Sequence, residues 1–497
     1  MIPDHIWLSV ALGLYFAVML LIGYFAYRKT SGHEGYMLGD RGLKPWVAAL
    51  SAGASDMSGW LIMGLPGAIY VAGLIEGWIA IGLTVGSYLN WLIVAPRLRA
   101  YTGVSRTSIP LPSFFETRLR DRPRLLRIVS SIIILVFFTL YVSSGMVAGG
   151  VFFQSAFNGD YLTGMTLVTV VTLAYTLFGG FLGASLTDVV QGLMMVVALV
   201  IVPVAAIIAV GGPGEAVTLI RELHPSHFNL FGGTGLTSVT LIGVLSGLAW
   251  GLGYFGQPHI VVRFMALRKP AEARSARRVG LAWQVIALSG AVFSGLVGIA
   301  FINRFGIDLA DPETVVLLMS QTLLHPLVAG LVLAAVLAAI MSTFSSQLIV
   351  CSSALVEDIY KVLKKSPPTE RRLVTLGRFC VLAVSIVAAL LAVNPNDSIL
   401  GLVAFAWAGF GASFGSIIVL SLYWRKLTNW GALAAMVVGA VTVFLWNRAE
   451  GGIFDLYELL PGFAFALLTA VIVSLLTYSH DEEIQAEFTE AESMVAA

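Results

Sequence analysis

The sequence predicts an all-α, polytopic membrane protein, and two observations carry that prediction. Of 497 residues, 58% are apolar and 11% charged, under half the charged share of a soluble domain. The charges also stand in short blocks between apolar runs too long for core helices. A water-soluble chain is excluded, and the net charge of +1 gives nucleic acid no basic surface to bind. Cys351 and Cys380 fall inside apolar stretches without metal-ligand spacing, so they are expected as buried thiols rather than a disulfide or a zinc site. Asp4 and His5 stand where a secretory signal carries positive charge, and no small-residue cleavage site follows. The first helix is therefore expected to stay in the mature protein.

A spanning helix needs about 20 mostly apolar residues, and on that measure about 13 spans are expected. In order they cover 6–27, 45–71, 77–96, 128–155, 162–178, 188–210, 238–262, 280–302, 322–356, 373–393, 398–423, 429–447 and 455–478. Lys and Arg set the orientation, because cytoplasmic loops keep them. One alternate set of loops holds Arg28, Lys29, Arg41 and Lys44, eight arginines from Arg97 to Arg127, six cations from Arg263 to Arg278, five from Lys361 to Arg372, and Arg425 with Lys426. The other set holds Arg221, Arg304 and Arg448. This places the N-terminus outside and the C-terminus in the cytoplasm, which an odd number of spans requires. Residues 1–478 are expected to form one transmembrane domain, followed by a solvated acidic tail over 479–497.

Two spans carry residues that a lipid-facing helix avoids. The second contains Gly53, Asp56, Gly59, Gly64, Pro66 and Gly67; the seventh contains Gly251, Gly253, Gly256 and Pro258. Backbone groups freed by such breaks must face protein or a polar cavity. Interrupted helices in matching positions of two halves point to a transporter made of inverted repeats. Helices two and seven are five apart, which fits a first repeat over 45–210 (helices 2–6) and a second over 238–423 (helices 7–11). Asp56 lies in the first break, and an acid inside a span is functional by default; a capping role for its own helix end is the alternative. Asp188 is expected as an interfacial acid at a helix start, and Arg378, near a span end, can snorkel to the cytoplasm.

In the ninth span Ser342 and Thr343 stand three and four residues after Ala339, so both hydroxyls approach the face where its carbonyl points. Hard cations take oxygen ligands, so a sodium site between this pair and the carbonyls of the first break is chemically sensible. Trp250 and Tyr254 are four apart on one helix face and can wall a compact ring; half-helix N–H ends suit a carboxylate. No filter-like loop or ring of acids suggests a channel. Paired catalytic groups for an enzyme are also missing: His5, His33, His224, His227 and His480 fall in loops or tails, and His259 and His325 stand isolated near span ends.

Several stretches resemble the sodium/solute symporter family: Ala54 to Trp60, Gly179 to Gln191, Trp250 to His259, and Ala338 to Gln347 with Gly377 to Cys380. The resemblance covers nearly the whole chain and is nearest to the proline-carrying members. It implies a LeuT-like core of two inverted five-helix repeats, sodium as the co-transported ion, L-proline as solute, and uptake by alternating access across a bacterial inner membrane, with a monomer as working unit. By resemblance, sodium is held by the carbonyls of Ala54, Met57 and Ala339 and the hydroxyls of Ser342 and Thr343, and Asp56 is essential to coupling. Proline is expected near Ser58, Gly59, Tyr141, Trp250, Tyr254 and Pro258. Ser346 departs from the cysteine expected in close relatives and puts none of these ligands in doubt. Symport of another small solute, proton coupling through Asp56, and a solute sensor on a transporter fold are the alternatives.

Overall fold

The computed structural model describes residues 4–29, 42–105, 111–233, 235, 237–363, 369–395 and 397–496. Arg41, Arg106, Lys364, Lys365 and His33 lie outside them. Among the described residues the chain is helical, and the single β pairing is an isolated bridge between Leu43 and Leu267.

The helix α1 (Asp4–Lys29) precedes the first interrupted span, formed by α2 (Pro45–Asp56) and α3 (Leu65–Ala72) with a π-helical turn between Trp60 and Gly64. There follow α4 (Gly77–Leu89), α5 (Ala95–Val104), α6 (Leu111–Arg118), α7 (Leu125–Phe157), α8 (Tyr161–Val210) and α9 (Pro213–Leu223). The second interrupted span is α10 (Ser238–Gly253), a 3-10 turn over Tyr254–Gly256, and α11 (Pro258–Met265). The chain continues through α12 (Ala273–Phe305), α13 (Val315–Leu323), α14 (Pro326–Ser353), α15 (Lys361–Leu363), α16 (Glu370–Ala392), α17 (Ile399–Phe410), α18 (Ser416–Tyr423), α19 (Asn429–Trp446), α20 (Leu459–Thr477) and α21 (Glu482–Ala496).

Eleven helical runs among the described residues are long and apolar enough to cross a membrane. The difference from about 13 has two sources. The first break leaves Trp60–Val104 as one apolar run through the expected second and third spans. The expected spans 162–178 and 188–210 lie in one continuous helix, α8, of 50 residues, whose opening part is the shorter apolar helix Tyr161–Ala174.

Both broken spans pack into a bundle with α4 and α12: α2 contacts α11 and α12, and α10 lies along α4. Glycine makes the second approach possible. A Cβ built on Gly251 would collide with the carbonyl oxygen of Gly82, and one on Gly86 would collide with that of Gly251. Close packing through small residues is how helices associate where lipid removes the hydrophobic drive. Around this bundle α8 touches α1, α2, α7, α12 and α14.

The acidic tail is a helix rather than solvated coil. In α21, Ile484, Phe488 and Ala491 repeat at four and three residues, and Phe488 and Ala491 are buried against α5 and its surroundings. The charge count overlooked that apolar stripe. Its acids face cations already expected on the cytoplasmic side: Arg97 and Arg425 meet Glu492 at 3.2 and 2.8 Å, and Arg120 meets Glu487 at 2.7 Å.

Candidate functional site

Helix α2 ends at Asp56 because Met57 leaves helical geometry, with φ −84° and ψ 84°. The carbonyl of Asp56 then accepts the Trp60 indole N–H at 3.1 Å, the Ser58 backbone N–H at 3.0 Å and the Tyr141 hydroxyl at 3.4 Å. Ser58 and Gly59 occupy the break and are buried. A Cβ on Gly59 would come within 3.0 Å of Ala148 and 3.2 Å of Ile340, so α7 and α14 both close on this point.

From α14, the Ser342 hydroxyl lies 2.7 Å from the carbonyl oxygen of Ala54 and 3.1 Å from that of Ala339. The Thr343 Oγ1 is buried without a hydrogen-bond partner. A buried hydroxyl of this kind is uncommon in a folded protein. Two carbonyls and two hydroxyls, one of them unpaired, are neutral hard oxygens, the ligand type that hard cations take. Met57, expected as a further ligand, is fully buried in the break itself. Ser345 instead turns back on its own helix, 3.0 Å from the Ser342 carbonyl.

Asp56 is fully buried. Its Oδ2 accepts the Tyr254 hydroxyl proton, while Oδ1 has no hydrogen-bond partner. The carboxylate thus faces the second broken span instead of capping its own. Tyr254 was expected in a solute pocket, and its hydroxyl serves the acid while its ring lies edge-on to Trp407 at 5.1 Å. Trp250 stacks on Tyr457 at 5.3 Å, leans on Trp60 at 6.1 Å, and accepts the Trp407 indole N–H on its carbonyl at 2.9 Å. Trp250 and Tyr254 therefore do share a face, organised by Trp407. Pro258 opens α11 at its first turn, next to Gln257 in extended geometry, and lines a largely apolar cavity with Leu111, Phe181, Val262 and Arg263.

Sequence reasoning missed Trp407, Tyr457, Gln284 and Asn90. Aromatic and amide residues in remote apolar spans carry no signal until the helices converge. Asp188 is a correction: it lies well inside α8, fully buried, and pairs with Arg263 at 3.2 Å while accepting the Ser51 hydroxyl at 2.7 Å. Arg263, counted above as a loop cation, also donates to Ser346 at 2.7 Å. The continuous helix removes the expected interface, so the acid needs a buried cation. His259 is fully buried with its ring edge-on to Phe138 and Tyr141, and neither ring nitrogen has a hydrogen-bond partner. Cys351 and Cys380 are buried, as expected, and both are free thiols.

Broken helices converging on a polar centre within a multi-pass helical protein define a membrane transporter of the LeuT-like class. The solved structure of a Na+-coupled sialic acid symporter superposes with a TM-score of 0.80 at 19% identity, covering 95% of this chain and 97% of that one. A nucleobase-cation-symport-1 family transporter gives 0.54 at 15% identity, over 93% and 99%. The profile of the Sodium:solute symporter family matches residues 36–439, and the chain belongs to that family. It is 54% identical to the high-affinity proline transporter PutP of Bacillus subtilis over 95% of this chain and 98% of the relative. Identity to the osmoregulated proline transporter OpuE of the same organism is 49%, over 94% of each. The sodium/proline symporter of Staphylococcus aureus is 47% identical over 98% and 96%.

Proposed function

We propose that this protein takes up L-proline by sodium symport through alternating access. The observation that carries the reading is the oxygen cluster of Ala54, Ala339, Ser342 and the unpaired Thr343 hydroxyl, set two residues from a buried acid. Sodium binds there, with the Met57 carbonyl as a further ligand, and Asp56 supplies the negative charge that couples it to the solute. Proline lies between Ser58, Gly59, Tyr141, Trp250, Tyr254 and Pro258, its apolar ring against the aromatic walls. The high identity to three proteins named as proline carriers supports the solute.

The chain crosses a bacterial inner membrane several times, N-terminus outside and C-terminus in the cytoplasm, and works as a monomer. Its repeats run over 45–210 and 238–423. Purified protein in proteoliposomes, with sodium and proton gradients imposed separately, is expected to accumulate labelled proline on the sodium gradient alone. Uptake on a proton gradient without sodium, or preference for another solute from a panel, overturns the reading.

A further inference from the structure

The acid in the first break is oriented from a third helix. In α12, the amide nitrogen of Gln284 lies 3.2 Å from the carbonyl oxygen of Leu83 and 3.0 Å from the hydroxyl of Tyr254. A carbonyl accepts and never donates, so the amide must turn its NH2 group toward this corner. One N–H serves Leu83, and the other is left for the phenol oxygen. Tyr254 then has one proton to give, and Asp56 Oδ2 receives it. The main chain of Tyr254 is held as well, its carbonyl accepting from Asn90 at 2.9 Å. Gln284, Tyr254 and Asp56 are all buried and share the wall of one small cavity with Asn90.

Every donor in this row points one way and the row ends on a carboxylate, an arrangement complementary to its negative charge. Oδ2 is committed, and Oδ1 remains without a partner in the break. We propose that Gln284 is a positioning residue for sodium coupling: by donating to Tyr254 it dictates the direction of the Tyr254 hydroxyl and so fixes the rotamer of Asp56. Without that donor nothing holds the phenol oxygen from the α12 side, and the carboxylate loses its defined edge. The row also joins α4, α12 and both broken spans. Any movement of α12 against them is felt at the acid.

This inference rests on the sodium/proline reading above, and the two fail differently. If the unaltered protein shows no sodium-stimulated proline uptake, that reading falls first. Given such uptake, Gln284→Leu and the nearly isosteric Gln284→Met are expected to raise the sodium concentration for half-maximal uptake by about tenfold. Proline half-saturation at saturating sodium should stay within about twofold, since reciprocal linkage vanishes there. Gln284→Glu, which can accept the phenol proton, should be worse for sodium than Gln284→Leu. Tyr254→Phe keeps the ring on Trp407 and should reproduce the sodium defect; in that background Gln284→Leu should add nothing. Unchanged sodium dependence, or losses that sum in the double variant, overturns the proposal. Failure of all three Gln284 variants to fold makes the residue a packing element and overturns it equally.

Discussion

Thr343 and Ser342 sit side by side in sequence and differ in what they touch, which makes them separable by experiment. Ser342 bridges Ala54 and Ala339, whereas the Thr343 oxygen has no protein partner. Thr343→Val keeps the shape and deletes the oxygen. It should raise the half-saturating sodium concentration by about tenfold or more, while Thr343→Ser stays within about threefold. Ser345→Ala should be mild, because that hydroxyl only bonds its own helix. Equal tolerance of Val and Ser at position 343 in sodium-titrated uptake would make the hydroxyl a packing group. Asp56→Asn preserves size and removes charge. Uptake driven by sodium should be lost while the protein still reaches the membrane folded; normal transport at low sodium would remove Asp56 from coupling. For the solute, Trp250→Ala unstacks Tyr457 and Trp60 and should weaken proline binding more than sodium binding, measured by equilibrium binding of each.

Elements must slide for access to alternate, and the breaks set where. The second break packs against the π-helical turn Gly411–Gly415, and the first is followed at once by the π-helical turn Trp60–Gly64. Such turns leave backbone groups less tightly paired and recur at functional positions. Between the breaks, α4 and α10 touch backbone to backbone. The carbonyl facing Gly251 cannot swing aside as a side chain could, so Gly251→Ala must push the helices apart. Overpacking of this sort costs roughly 1–3 kcal/mol. Gly251→Ala is expected to lower the yield of folded protein or the transport rate several-fold, and Gly13→Ala, where nothing lies within 4 Å of a Cβ, should leave both unchanged. Purification yield and uptake rate report the difference.

At the scale of the molecule, α21 ties together the face that carries Arg97, Arg120 and Arg425. Its ion pairs with Arg97, Arg120 and Arg425 are partly exposed, and pairs of that kind contribute about 0–1 kcal/mol each. Phe488 is buried between the Arg118 and Arg425 guanidinium groups, at 5.3 and 4.8 Å from its ring, and a fully buried side chain contributes about 1.5–3 kcal/mol. Phe488→Ala should therefore release the helix more than Glu492→Gln does. Amide hydrogen exchange over 482–496 measures it, with high salt mimicking the charge variant and not the aromatic one. A larger effect for Glu492→Gln would reverse the ranking.

The fold class and the two breaks were legible in the sequence because bilayer length, charge segregation and unusual Gly, Pro and Asp placement are local properties. So was the hydroxyl pair, because the three- and four-residue spacing of Ser342 and Thr343 from Ala339 is a property of one helix alone. What the tertiary structure decided is partnership across helices. Tyr254 belongs to Asp56 as much as to the aromatic wall around Trp407, Asp188 is a buried partner of Arg263, and Gln284, Asn90, Trp407 and Tyr457 enter the site from other spans. Periodicity tells which face of a helix is apolar and leaves open which neighbour covers it. In an interior this apolar, the register between distant helices is set by close packing and by polar groups seeking partners, and both exist only once the chain has folded.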